Sequence, residues 1–156
     1  MLGRLENWRE LDEEGALVWA LQRVGLMPER VARHRSLGIP DHRWAAVRHS
    51  LSMVAAKAGI GIGTFIAPFA AVQPMVRSGY SVLGEGACLG PNAVLREGIT
   101  VGAYAVAGVG SAVTKDVPPR SAVMGNPARP VRTFRRPPEG GMRARVAGAS
   151  RGVAEI

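Results

Sequence analysis

A period of six governs the middle of this chain. Read from each leading aliphatic residue, the sequence runs Val54-Ala-Ala-Lys-Ala-Gly, Ile60-Gly-Ile-Gly-Thr-Phe, Ile66-Ala-Pro-Phe-Ala-Ala and Val72-Gln-Pro-Met-Val-Arg. Residues Ser78 to Val82 break the frame. It resumes as Leu83-Gly-Glu-Gly-Ala-Cys, Leu89-Gly-Pro-Asn-Ala-Val, Leu95-Arg-Glu-Gly-Ile-Thr, Val101-Gly-Ala-Tyr-Ala-Val, Ala107-Gly-Val-Gly-Ser-Ala and Val113-Thr-Lys-Asp-Val-Pro. The fifth place is small or β-branched throughout: Ala58, Thr64, Ala70, Val76, Ala87, Ala93, Ile99, Ala105, Ser111 and Val117. Strict alternation fails here, and no helical period survives past Val54. A repeat this short is too small to bury a face alone, so it must stack on its neighbours. The geometry it specifies is a triangular coil of three short strands and three turns. The leading aliphatic points into a narrow prism, the fifth residue faces inward near a corner, and a following glycine eases the turn.

Composition agrees with that shape. Aromatic residues make up only 5% of the 156 residues, whereas glycine numbers 20 and proline 11. Such a mixture suits a repeat with small aliphatic filling and tight corners better than a sandwich with large core rings. The single cysteine, Cys88, excludes a disulfide framework and is expected as a buried small hydrophobe. Charges interrupt every apolar stretch before it reaches membrane-spanning length. No apolar segment follows the first charges, so a signal peptide is not expected, and a cytoplasmic protein is.

The chain divides into three compositional regions. Residues 1–50 are charged and hold all three histidines, His34, His42 and His49. Leu17, Ala20, Leu21 and Val24 recur at helical spacing, with Glu13 and Glu14 favouring a helix start. Pro28 and Gly38 suit the opening and closing of a second helix. Residues 43–48 then read as a short strand leading into the repeat. Residues 51–131 are the repeat, and residues 132–156 form a basic tail. The net charge is +8, and six arginines lie between Arg132 and Arg151 with Glu139 as the only acid among them. Basic tails suit nucleic acid or an acidic membrane. Here glycine, proline and alanine interrupt the arginines and no aromatics alternate with them, so the expectation is a solvated, disordered terminus with neither partner.

The stretch Gly98 to Arg132, and within it Ala112-Val-Thr-Lys-Asp-Val-Pro-Pro119 and Gly125-Asn-Pro-Ala-Arg129, resembles the closing coils of hexapeptide-repeat acetyltransferases. Gamma-class carbonic anhydrases end similarly but need several metal-binding histidines in their coils. Residues 50–156 contain none, so no metal is expected. Leu37-Gly-Ile-Pro-Asp-His-Arg-Trp-Ala-Ala-Val-Arg-His-Ser50, followed by Gly61-Ile-Gly-Thr-Phe65, is similar to the passage into the solenoid in the enzymes that acetylate sialic acids or amino-sugar nucleotides. The resemblance implies a mainly β fold: a left-handed parallel β-helix of about three to four coils behind a short α-helical N-terminal segment, itself the remnant of a sugar-nucleotide domain.

It also implies an acetyl-CoA-dependent acetyltransferase, working as a homotrimer on a hydroxyl or amine of a sugar or nucleotide sugar. Such a reaction needs a base, donors for the thioester oxyanion and a groove for coenzyme A. By matching position, the backbone around Gly90, Ala105, Gly108 and Gly110 is expected to line the pantetheine arm, with Lys115 and Arg129 meeting phosphates. The family's catalytic histidine falls at Ser78-Gly79-Tyr80-Ser81, where Gly79 stands in its place. The remaining candidates for the base are His49 and Tyr80. Glu85 and Glu97 occupy corners, where solvated charge is the simpler role. A catalytically degenerate trimeric scaffold is therefore the alternative reading.

Overall fold

The computed structural model describes Leu17, residues 36–74 and 81–134, and the backbone of residues 153–155. Eleven strands wind through the repeat. The first coil holds β1 (Ala46–Arg48), β2 (Met53–Val54) and β3 (Gly59–Ile60). The second holds β4 (Phe65–Ile66), β5 (Ala71–Val72) and β6 (Val82–Leu83). The third holds β7 (Cys88–Leu89), β8 (Val94–Leu95) and β9 (Thr100–Val101). The fourth holds β10 (Val106–Ala107) and β11 (Ala112–Val113), and Val117 closes it by a parallel bridge to Val101. β12 (Ser121–Met124) starts a further turn, β13 (Arg129–Thr133) folds back antiparallel on it, and β14 is Val153–Glu155.

Three sheets result. The first runs β13-β12-β10-β7-β4-β1-β14, the second β11-β8-β5-β2 and the third β3-β6-β9. All pairings between coils are parallel, in equivalent register: Ile66 beside Leu89, Val72 beside Leu95, Leu83 beside Val101. The fold is the expected mainly β solenoid, a left-handed parallel β-helix.

The prism is filled as the hexad pattern predicts. Ile66, Val72, Leu83, Leu89, Leu95, Val101 and Val113 are fully buried, with Ala70, Ala87, Ala93 and Ala105 beside them. Each large side chain contributes about 1.5–3 kcal/mol by leaving water. Val54 and Ile60, in the first coil, are only half-buried.

Two features depart from the frame read off the sequence. First, the solenoid starts one strand before Val54. Arg48 pairs in register with Ile66, so it holds a leading position although it is not aliphatic. An arginine is tolerated there because the position lies at the end of the prism, and Arg48 is half-buried. Second, Val117 is not a fifth-place residue. Gly102 N donates to Val117 O at 2.8 Å just as Gly84 N donates to Val101 O, so Val117 leads the last face of the fourth coil. Only Thr114, Lys115 and Asp116 separate it from Val113, which makes this corner two residues short of its counterpart Arg96–Thr100. The Asp116 carboxylate compensates, accepting from Thr100 N at 2.8 Å where Ile99 O accepts from Val82 N one coil below.

Outside the prism, Cys88, Val106 and Ala122 on the outer side of the first sheet form a second buried cluster with Tyr104 and Phe134. Cys88 is thus the buried small hydrophobe expected. Ahead of the solenoid, a 3-10 turn at Asp41–Arg43 leads into Trp44. Leu17, whose spacing suggests a helix, instead bridges in parallel with Trp44. The rest of that expected helical segment lies outside the described residues, as does most of the basic tail. Among the described residues, no helix is long and apolar enough to cross a membrane.

Candidate functional site

The corner between the first and second sheets gathers four of the sequence candidates, His49, Gly90, Gly108 and Gly110. Its successive layers are His49–Ser52, Ala67–Ala70, Gly90–Ala93 and Gly108–Ser111. The leading N–H of each layer bonds the next coil: His49 to Ile66 O at 3.0 Å, Ala67 to Leu89 O at 3.0 Å, Gly90 to Ala107 O at 2.8 Å and Gly108 to Val123 O at 2.9 Å. A Cβ on Gly90 would come within 3.0 Å of Ala107 O and of the Gly108 and Val109 backbone. One on Gly108 would meet Met124 Cγ at 2.5 Å. Gly110 has open space around it but a φ of +64°. These glycines let the coils approach and turn, and their N–H groups are already used in the ladder.

Ala105 does not belong to this corner. It lies between the third and first sheets, fully buried, with its side chain in the prism. Its N–H donates to Gly102 O at 3.1 Å and its carbonyl accepts from Cys88 N at 2.9 Å. Lys115 is exposed on the shortened corner between the second and third sheets, and Arg129 is exposed at the start of β13. Both sit toward the C-terminal end of the solenoid, on different sides of it.

His49 is on the same corner as Gly90 and Gly108, rather than apart from them. With strands spaced about 4.8 Å, it stands roughly 10 Å below Gly90 along the axis. It is half-buried, and its Nδ1 accepts from Leu51 N at 3.1 Å. That bond requires an unprotonated Nδ1, which leaves the proton of the neutral ring on Nε2. His42 is exposed in the 3-10 turn. His34, Gly79 and Tyr80 lie outside the described residues.

The sequence did not single out the apolar ridge on this corner. Leu51, Phe69, Val109 and Met124 are all substantially exposed along it, and Met53 is exposed on the adjoining β2. Phe69 carries a second cost, a φ of +59°, a region that bulky residues seldom enter. Exposed apolar residues aligned over several coils mark a surface that takes a partner or ligand.

A different cluster occupies the corner between the third and first sheets. The Tyr104 hydroxyl donates to Glu85 Oε1, and the Arg120 guanidinium lies 5.8 Å from the centre of the Tyr104 ring. Gly86 makes room, since a Cβ there would lie 2.7 Å from the ring. Glu85 is therefore half-buried and bonded, not a solvated corner charge. Among the described residues, no group of three or more histidine, cysteine or acidic side chains is placed to hold a metal ion.

No protein-family model matches the sequence. The chain is 43% identical over 51 residues to the dTDP-3-amino-3,6-dideoxy-alpha-D-galactopyranose 3-N-acetyltransferase of Aneurinibacillus thermoaerophilus, covering 33% of this chain and 27% of that one. It is 46% identical over 55 residues to a chloramphenicol acetyltransferase of Agrobacterium fabrum, covering 35% of this chain and 26% of that one. The chain thus matches about a quarter of the length of these curated relatives. Among solved structures, a serine acetyltransferase in complex with cysteine superposes with a TM-score of 0.51 and 25% identity, over 60% of this chain and 40% of that one.

Proposed function

We propose that this chain is an acetyl-CoA-dependent acetyltransferase acting on a hydroxyl or amine of a sugar or nucleotide sugar. One observation carries the reading: a four-coil left-handed β-helix whose sequence is 43–46% identical, over about a third of its length, to two acetyltransferases. One of those two is by its name a nucleotide-sugar N-acetyltransferase, which favours that acceptor class.

In this reading the corner bearing Gly90, Gly108 and Gly110 holds the pantetheine arm of acetyl-CoA, with the ridge of Phe69 and Val109 covering it against a neighbouring copy in a homotrimer. Glycine at 90 and 108 leaves those two positions of the corner without a side chain. Lys115 and Arg129 meet the phosphates as exposed cations. His49 Nε2 is the one imidazole donor on this corner among the described residues. With Nδ1 bonded to Leu51 N it carries the proton, so for His49 Nε2 to act as base the ring must first release Leu51 N and shift its proton to Nδ1.

A second reading is favoured by one specific observation: no histidine occurs in residues 50–156, in keeping with the resemblance that sets Gly79 where the family's base is expected. The chain is then a trimeric scaffold without turnover. Incubation with acetyl-CoA and a panel of UDP-amino sugars and sialic acids separates the two. Release of CoA above background, abolished in His49→Ala or Tyr80→Phe, is the expected result. No release from intact trimers, as seen by light scattering, rejects the enzyme and keeps the scaffold.

A further inference from the structure

The corner between the third and first sheets is built as a stack. One place in each layer has a left-handed backbone: Gly63, Gly86, Tyr104 and Arg120 have φ of +63°, +60°, +58° and +55°. Hydrogen bonds tie the layers together, since Gly86 N donates to Ile62 O, Tyr104 N to Glu85 O and Arg120 N to Ala103 O at 2.8, 2.8 and 2.9 Å. A bulky side chain in that backbone is costly. Tyr104 recovers the cost inside the chain: it is buried, its ring lies against Gly86 and its hydroxyl is held by Glu85. Arg120 recovers less. Its guanidinium lies 5.8 Å from the centre of the Tyr104 ring, but its Nε is enclosed without a hydrogen-bond partner, and no acid among the described residues pairs with it. Glu85 sits two layers below, about 10 Å along the axis, so it fixes the ring rather than neutralising the cation.

A second guanidinium stands beside it. Ser121 pairs with Thr133 and Ala122 with Arg132, and Phe134 N donates to Arg120 O at 2.7 Å. Arg120 is therefore opposite Phe134, and Arg132 is its diagonal neighbour across the two strands, about 7–8 Å away. Alternation puts Arg132 on the face of Ala122 and Phe134, the outer face of the first sheet, where Tyr104 also packs. Arg132 is exposed, and it too has no acid partner among the described residues. Two uncompensated cations thus border one apolar floor.

We propose that Arg120 and Arg132 form a binding site for a phosphate group, which bridges the two guanidiniums. The two charges of a phosphate dianion match the two cations, and its tetrahedral oxygens give each planar fork acceptors of its own. A carboxylate has one charge and two oxygens to share between them. The Tyr104–Glu85 bond and the packed ring hold Arg120 in place before the ligand arrives, which lowers the ordering cost of binding. Inorganic phosphate and the terminal phosphate of a sugar or nucleotide share this chemistry. The site lies on a different corner from the one proposed for coenzyme A, and it stands whether or not the chain transfers acetyl groups.

The test follows the Nε–H resonances of Arg120 and Arg132 in the full chain as inorganic phosphate is added at constant ionic strength. Both are expected to shift together and to saturate, while acetate gives no saturable shift. Arg120→Gly suits the left-handed backbone, so it should keep the denaturation midpoint while phosphate binding weakens about tenfold or more. Arg132→Ala, at an exposed position, is expected to weaken binding as much, and Arg132→Lys less, because the charge stays and the fork is lost. Lys115→Ala should bind phosphate as the parent does. A hexose phosphate and UDP separate the sources: tighter binding of either identifies an ester as the ligand, and equal or weaker binding identifies free phosphate. No saturable shift at the two arginines overturns the proposal. So does an equal response to acetate, or unchanged phosphate affinity in Arg120→Gly. Phosphate binding that is lost in Lys115→Ala and displaced by CoA overturns it as well, because the anion then occupies the site proposed for coenzyme A.

Discussion

Three glycines on one corner look alike in sequence and differ in what they do. A Cβ at Gly90 has the backbone of the next coil in its way, which cannot retreat without separating the coils. At Gly110 the space is open and only the backbone conformation resists. Gly90→Ala should therefore cost about 2–3 kcal/mol, as overpacking does, and Gly110→Ala about 1 kcal/mol, both read from the denaturant midpoint. Phe69 is the reverse case. Glycine there relieves a left-handed backbone and removes an exposed ring, so Phe69→Gly should hold or raise the midpoint, by up to about 1 kcal/mol, while breaking the apolar ridge. If that variant keeps the parent's state of assembly and its response to CoA, the ridge has no part in binding. Asp116 replaces a backbone carbonyl, so Asp116→Ala should cost about 1 kcal/mol and Asp116→Asn much less, because the amide oxygen still accepts from Thr100. Chemistry of this kind was only partly legible beforehand. The glycine positions were readable, but what each glycine does for its turn rests on backbone geometry. The Tyr104–Glu85 bond joins residues 19 apart that the hexad frame does not distinguish from solvated corners.

At the scale of elements, the hexad frame predicted the strands because each leading aliphatic must enter the prism. It failed at both ends for physical reasons. Arg48 leads the first coil but breaks the aliphatic rule, which relaxes where the prism opens to solvent. Val117 fits either a leading or a fifth place, since both accept a β-branched side chain, so the two-residue shortening was invisible until the register with Val101 was known. Leu17 followed a helical spacing yet sits in a parallel bridge, where tertiary pairing overrides a local pattern. This layering predicts a gradient of stability. Leu95→Ala, in the middle of the stack, should cost about 2–5 kcal/mol. Val54→Ala, half-buried in the first coil, should cost about 1 kcal/mol or less in the same denaturation series. Equal losses at the two positions would show that the end coil is as tightly packed as the centre.

For the whole molecule, the fold and the acetyltransferase likeness converge from separate observations, strand register on one side and local identity on the other. What the chain does with that fold depends on whether its corner receives coenzyme A. Titration calorimetry of CoA into the intact protein tests this most directly. The account predicts saturable binding that weakens about tenfold in Lys115→Ala, the loss expected from one phosphate contact of roughly 1.4 kcal/mol. Absence of any binding heat at millimolar CoA, from protein that is folded and assembled, would contradict it.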